Sequence, residues 1–333
     1  MEQPLSNGKA IVFGASGYLG SHVAEQLRRA QRPVSAPQRS AGTPSAFLTG
    51  IGIAPQRLDF ASDAALERSI AGHDIVYCCL ANPRRHQPLA ALRAVEVELT
   101  GRVIAAAGRA GAHRVVLLST VMVYGFGRPP QPIDEDWPPA PEHACNRVAL
   151  ERELAARAAA AAAGVELAIL RPANALGRRD RQMARLFASF RHGFFPLFGN
   201  EEYRYSAIDA RDVGRAMLFL GDLPQAAGHV WLAKGYDTSW RELKRTLERL
   251  TGRHAVALRL PRPFARGLGN LIERACPHAW EPALTRFSVD VMSTHTLFDT
   301  RKIEAAGFRP RYGLEDSVRE YLPNDDCADD RAA

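Results

Sequence analysis

Three glycines, Gly14, Gly17 and Gly20, stand in the spacing G-x-x-G-x-x-G directly after the apolar run "KAIVF". The chemistry this spacing serves is phosphate binding. The first glycine permits a tight turn after a strand, the second lets the backbone approach a pyrophosphate, and the third lets the next helix pack closely on that strand. The N-terminus of such a helix offers N–H groups and a positive dipole end to phosphate. The stretch "GYLGSHVAEQLRRAQ" supplies the helix, with Leu19, Val23, Ala24 and Leu27 on one face. Dinucleotide binding is therefore expected across Gly14–Gly20. A second position bears on which dinucleotide. NAD sites commonly end their second strand on an acid that takes the ribose 2′-hydroxyl, whereas "PVSAPQRS" ends on Arg39 and Ser40. A guanidinium pairs with a 2′-phosphate that a carboxylate would repel, so NADP(H) is favoured over NAD(H). Arg84, Arg85 and His86 follow a later apolar run, at the rim where open α/β sheets bind substrates; they read as an exposed loop first and as contacts for an anionic substrate second.

The elements that must hold these residues alternate. "KAIVFGA", "PVSAPQR", "DIVYCCLA", "RVVLLSTVMVY", "ELAILRPA" and "HVWLAKG" read as buried strands. "DAALERSIAGH", "LAALRAVEVELTGRVIAAAGRAGA", residues 143–163 and "ARDVGRAMLFLGD" read as helices between them. Non-alternating apolar strands separated by helices predict an α/β fold, a doubly wound parallel sheet of the Rossmann type, with a smaller C-terminal substrate domain. The dinucleotide-binding domain is expected over residues 8–175, with 205–235 returning to it. Residues 176–204 and 236–323, rich in aromatics and proline and holding two or three helices beyond residue 238, form the substrate domain, and 324–333 a disordered acidic tail.

Composition narrows the partners. The 333-residue chain carries a net charge of +7, almost all of it arginine, since Lys9, Lys234, Lys244 and Lys302 are its only lysines. The arginines are scattered along helical stretches and not interleaved with aromatics, which argues against a nucleic-acid partner. No apolar run approaches the roughly 20 residues of a membrane span. The N-terminus lacks a secretory pattern, and the five cysteines show no paired spacing, Cys78 and Cys79 lying together in a strand. A cytoplasmic protein with a small-molecule substrate is expected. The ten histidines show no metal-ligand spacing, so no metal is expected.

Further landmarks come in a fixed order: "RLDF", "CCLAN", "LLSTVMVYG", "LRPANALG", "YSAIDARDVGRAM" and "LFDTRKIEAAGFRPRYGLEDSV". With the glycine loop they resemble the extended short-chain dehydrogenase/reductase family, also called the epimerase/dehydratase family, over about residues 8–322. The resemblance implies cofactor contacts at Ser16, Tyr18 and Leu19 beside the glycines, and at Asp59 and Phe60 near the adenine. It implies others at Leu80, Ala81 and Asn82, and at Pro172 and Asn174. It makes Thr120 the active-site hydroxyl and Asp209 and Asp212 scaffold, and it suggests a homodimer through helices near 92–108 and 146–163. The texture of "HGFFPLFGNEEYRYSAIDARDV" and "LPRPF" is similar to the 3β-hydroxysteroid dehydrogenase and dihydroflavonol reductase branches, implying an apolar, lipid-like or polyketide-like substrate. Phe194, Phe195, Phe198, Tyr203 and Tyr205 are then expected on the pocket wall; Trp231, Trp240 and Trp280 pack a core or roof the pocket, and Tyr124 packs.

One part of the family pattern is missing. The run "P-x-x-x-Y-x-x-S-K-x-x-x-E" aligns with Pro139 and Glu151, which puts His143 where the family has tyrosine and Arg147 where it has lysine. No lysine lies between Lys9 and Lys234, so the usual relay is absent in any register. Histidine exchanges a proton near neutrality. Arginine stays charged and can hold ribose hydroxyls, but cannot shuttle protons. The expected function is an NADP(H)-dependent oxidoreductase with an atypical proton donor, using Thr120, His143 and Arg147. The alternatives are an epimerase, isomerase or dehydratase on the same scaffold, or a catalytically silent cofactor-binding regulatory protein.

Overall fold

The computed structural model of the protein describes residues 8–39, 45–54, 56–82, 85–127, 130–277, 282 and 284–322. The apolar runs become short buried strands: β1 (Ala10–Phe13), β2 (Val34–Ser35), β3 (Pro37–Arg39), β4 (Gln56–Leu58), β5 (Ile75–Cys78), β6 (Arg114–Leu118) and β7 (Glu166–Pro172). After these come β8 (Asn174–Leu176), β9 (Phe194–Phe198), β10 (Arg204–Asp209), β11 (Val230–Ala233), β12 (Tyr236–Ser239) and β13 (Val256–Leu260). Six of them form an all-parallel sheet in the order β11-β7-β6-β5-β1-β2. Every residue of β1, β5 and β6 is buried, as a sheet covered on both faces requires. One face packs with Val23, Ala24 and Leu27 of the helix Tyr18–Arg29 and Val213, Met217 and Leu220 of Ala210–Asp222. The other packs with Leu66 and Ile70, with Val103, Ile104 and Ala107, and with Ala156 and Ala160 of Ala144–Ala163. This is the doubly wound Rossmann fold.

The smaller lobe has its own sheets, β12-β10-β8 and the parallel pair β13-β9. Leu176, Phe187, Phe190, Phe195, Tyr205, Trp240 and Leu243 make its core. Here the structure corrects several expectations. β10 does not rejoin the six-stranded sheet; it pairs antiparallel with β12 and parallel with β8. The return to the large lobe begins with Ala210–Asp222, whose Gly214 sits against the first helix, and ends with β11 on β7. Beyond residue 238 there are five helices among the described residues, three of them seven residues or fewer. Their shortness hid them, because one or two turns show no period.

Two more departures matter for the site. The stretch 89–109 is not one α-helix: Ala94–Glu98 is a π-helical turn between Leu89–Arg93 and Leu99–Arg109. The strand read as "RVVLLSTVMVY" stops at Leu118, and Val121–Tyr124 turns into a 3-10 helix. The Thr120 hydroxyl accepts from the Met122 N–H at 3.2 Å and so caps that turn. Trp280, Arg84, Ser40 and the tail from residue 323 lie outside the described residues.

Candidate active site

Gly14 follows β1 in the left-handed region at φ +83, where a Cβ would overlap the Cys79 carbonyl just beyond β5. A Cβ on Gly20 would overlap the Gly14 carbonyl. The loop is therefore closed to side chains at its first and third glycines. The helix it opens has Gly17 as N-cap, with no side-chain cap and no acid in the first turn. Its first N–H groups therefore have no side-chain acceptor. Ser16 and Gly17 are exposed at this turn, while Tyr18 and Leu19 are half-buried. The Tyr18 hydroxyl is buried near that of Tyr321, and burial pushes it well above the ordinary phenol value.

The other expected cofactor positions lie at the C-terminal ends of β3, β4, β5 and β7, the first two a separate parallel pair, and on β8. Arg39 is exposed at the end of β3, opposite Leu58 of β4, so Asp59 follows directly beside it. The Asp59 carboxylate accepts from the Ala61 N–H at 2.9 Å, and Arg102 holds the turn by donating to the Phe60 carbonyl at 2.9 Å. After β5, Leu80 is buried, Ala81 exposed and Asn82 half-buried. Glu96, on the π-helical turn, accepts from the Asn82 N–H at 3.1 Å and from Arg152 at 3.3 Å, and Arg152 donates to the Leu80 carbonyl at 3.0 Å. A buried ion pair thus clamps the strand end that passes the glycine loop. Pro172 ends β7, and the Asn174 amide donates to the Ser206 carbonyl at 3.1 Å, tying that position to the small lobe.

Below Thr120 lies a second buried network. Ser119 donates to Glu153, and Arg171 grips the same carboxylate through 2.9 and 2.6 Å bonds. Arg171 also donates to the Tyr124 hydroxyl at 2.7 Å. Burial pushes that phenol up to about 12 against the pull of Arg171, and the ring packs beside Phe298. Glu153 and Arg171 are 2% and 5% exposed, so the pair is sealed inside the fold next to Thr120.

His143 and Arg147 part company. His143 is the N-cap of Ala144–Ala163, and its Nε2 lies 3.0 Å from the Asp290 carboxylate across the lobe boundary. Its ring stands edge-on between Phe126 and Phe287, at 5.6 and 5.4 Å. Asp290 also accepts from Arg262 and Arg266, both at 3.1 Å. Burial alone would raise this carboxyl, but hydrogen bonds from His143 and Arg262 and the charge of Arg266 outweigh it and hold it below the ordinary aspartate value. Arg147, by contrast, is exposed and donates to the Glu142 carbonyl at 2.6 Å. The reason is helical phase. Ala149, Glu153, Ala156 and Ala160 face the sheet, Cys145 continues that row outwards, and Arg147 and Glu151 fall on the outer side, where Glu151 binds Arg93 at 2.7 Å. The family spacing also runs two residues later, through Pro141, Cys145, Ala149 and Glu153, and that register lies on the inward face. Neither register supplies a tyrosine or a lysine.

The remaining sequence candidates have structural work. Phe195 and Tyr205 are small-lobe core, Tyr205 stacking on Trp240 at 4.6 Å. Phe198 packs with Ala265 and Val289, Tyr203 meets His295 edge-on and Phe194 is exposed. Trp231 is buried and donates to the Ala226 carbonyl. Asp209 and Asp212 are fully buried, the first capping Ala210–Asp222 and the second accepting from the Arg311 and Tyr312 N–H groups. Arg85 lies over the Phe287 ring at 4.8 Å, and His86 contacts the Cys276 carbonyl at 3.1 Å, so that loop bridges the lobes. A hollow of about 530 Å³ lined by Asp74, His113, Arg114 and Glu166 sits at the opposite, N-terminal ends of the strands, away from Gly14. Sequence reasoning missed Glu96, Arg152, Glu153, Arg171 and Asp290. The one available signal was charge at inward-facing positions of "VALERE".

A doubly wound sheet with this glycine turn at the end of its first strand, and a second lobe over the strand ends, defines a dinucleotide-binding Rossmann class. The chain belongs to the NAD dependent epimerase/dehydratase family, whose profile matches residues 10–232. None of the curated protein sequences matches it. Among solved structures it is similar to MoeE5 in complex with UDP-glucuronic acid and NAD, with TM-score 0.74 and 23% identity over 94% of this chain and 97% of that one. UDP-glucuronic acid 4-epimerase from Bacillus cereus, in complex with NAD, aligns with TM-score 0.76 and 19% identity over 94% and 97% of the two chains. UDP-glucose 4-epimerase from Thermotoga maritima, with UDP-glucose, gives the same TM-score of 0.76 and 19% identity over 94% and 97%. At these identities the likeness is one of fold.

Proposed function

We propose that the protein holds a nicotinamide dinucleotide along Gly14–Gly20 and epimerises a hydroxyl-bearing carbon of a sugar-nucleotide-like substrate. The observation that carries the reading is the loop itself: a left-handed Gly14 and a Gly20 without room for a Cβ, under an uncapped helix start. The ligands of the similar structures favour this reaction over plain carbonyl reduction. Arg39, Asp59 and Phe60 would hold the adenosine end, Arg39 favouring a 2′-phosphate, and Leu80, Ala81, Asn82, Pro172 and Asn174 would line the nicotinamide end. A dinucleotide held there would supply a reversible hydride acceptor for the substrate carbon.

The protein's own part is to move one proton and hold one oxygen. Asp290 accepts from His143 Nε2, which leaves the Nδ1 lone pair to take the substrate hydroxyl proton and later give it back. Thr120 already accepts from Met122, so its own O–H is free to donate to the substrate oxygen. Arg147 takes no part, since it faces solvent. A second reading, a silent dinucleotide-binding protein, is favoured by Cys145 and Ala149 on the inward face. The test is a panel of UDP-sugars with added dinucleotide, followed for appearance of the epimer. Turnover that falls about 10²–10⁴-fold in His143→Gln, with dinucleotide affinity unchanged, supports the epimerase. Binding without turnover on any member supports the second reading.

A further inference from the structure

The exposed large apolar side chains are not spread evenly. Phe194, Val256, Leu258, Phe264 and Leu271, between 47% and 65% exposed, all lie in three small-lobe elements, β9, β13 and the helix Arg262–Ala275. Among the described residues only Leu89 and Leu154 are comparable elsewhere. On the parallel pair, Phe194 stands opposite Val256, Pro196 opposite Leu258 and Phe198 opposite Leu260, so these six share a face. Ala265 and Val289 cover the Phe198 and Leu260 end of it, and the Phe194, Val256 and Leu258 end is open. The helix is seated by Ala265 and Gly269; a Cβ on Gly269 would come within 2.9 Å of the Thr285 backbone. That close seat fixes the helix's rotation, which leaves Phe264 and Leu271, two turns apart, pointing outwards with Leu268 between them.

The same segment is basic. Residues 251–275 hold five arginines, Arg253, Arg259, Arg262, Arg266 and Arg274, against the single acid Glu273. Arg262 and Arg266 pair with Asp290, and Arg259 with Glu201. Arg253 and Arg274 have no ion-pair partner among the described residues, and Arg191 and His192 are exposed just before Phe194. Among the described residues no helix is long and apolar enough to cross a membrane, so any lipid contact here is in-plane. We propose that this face docks on an anionic lipid surface. Phe194, Val256, Leu258, Phe264 and Leu271 would enter the headgroup boundary while Arg253 and Arg274 meet lipid phosphates. A second copy seated by a two-fold axis would set this arginine-bearing face against itself, whereas anionic lipid neutralises it.

The test is co-sedimentation of the full chain with vesicles of phosphatidylcholine alone and of phosphatidylcholine with phosphatidylglycerol. Two double variants accompany it, Phe264→Ser with Leu271→Ser and Arg253→Glu with Arg274→Glu. All four sites are at the surface, and circular dichroism checks that both variants fold. The expected result is at least about tenfold stronger binding to the anionic vesicles, reduced by about tenfold or more in each variant. Three results would overturn the proposal: equal binding to both vesicle types, no binding to either, or a wild-type dimer that the Phe264→Ser, Leu271→Ser variant turns into a monomer.

Discussion

On the proposed reading His143 is the base, and Asp290 sets which ring nitrogen carries the proton. The two lie 147 residues apart in sequence, so no local pattern announced the partner. Asp290→Asn should keep dinucleotide binding and lower turnover by about tenfold, less than His143→Gln, because the imidazole stays in place with its tautomer unfixed. The same carboxylate gives a pH signature. Its folded pKa is depressed, so its contribution to stability is present above the ordinary value of 3.8 and is lost as pH falls through the lower folded value. The Tm gap between wild type and Asp290→Asn should therefore be widest near neutrality and shrink below pH 3.8; a gap that widens in acid would be the wrong sign. Arg147 shows the opposite limit of legibility. Its spacing from His143 was right for one helix face, but "AARAAAAAAG" is apolar almost all round and carries no stripe from which to read which face turns inwards.

At the scale of elements, the glycine turn was readable because backbone geometry demanded particular residues. Gly14→Ala forces a side chain into φ +83 and into the Cys79 carbonyl, which should cost about 1–3 kcal/mol and weaken dinucleotide binding by at least about tenfold. Thermal melting and a dinucleotide titration on the same sample check both halves. The alternation of strand and helix was equally readable. The Glu153–Arg171 pair was not, since its members sit on a helix and a strand that meet only in three dimensions. Glu153→Ala leaves a buried guanidinium beside Tyr124 without its carboxylate and should lower stability by about 3–5 kcal/mol. Glu153→Leu combined with Arg171→Met should recover most of that loss, which denaturant titration of both variants will show. The π-helical turn at Ala94–Glu98 escaped the sequence for a related reason: one inserted residue does not disturb an apolar pattern, yet it carries Glu96 to the end of β5.

In the whole molecule the two lobes meet through polar contacts, among them His143 with Asp290, His86 with the Cys276 carbonyl and Arg179 with Glu25, and through Phe298, Ile303 and Phe308, which pack into the large lobe's core. Ligand binding across such a boundary stabilises both lobes together. A dinucleotide at about 100-fold over its Kd should add about 2.7 kcal/mol, seen as a rise in Tm. The central claim is that the glycine turn holds a nicotinamide dinucleotide. An equilibrium titration of the protein's tryptophan fluorescence with NADPH and with NADH tests it most directly. The account predicts saturable quenching by both, tighter for NADPH, with Arg39→Asp narrowing or reversing that order. A folded protein that shows no saturable response to either dinucleotide would contradict it.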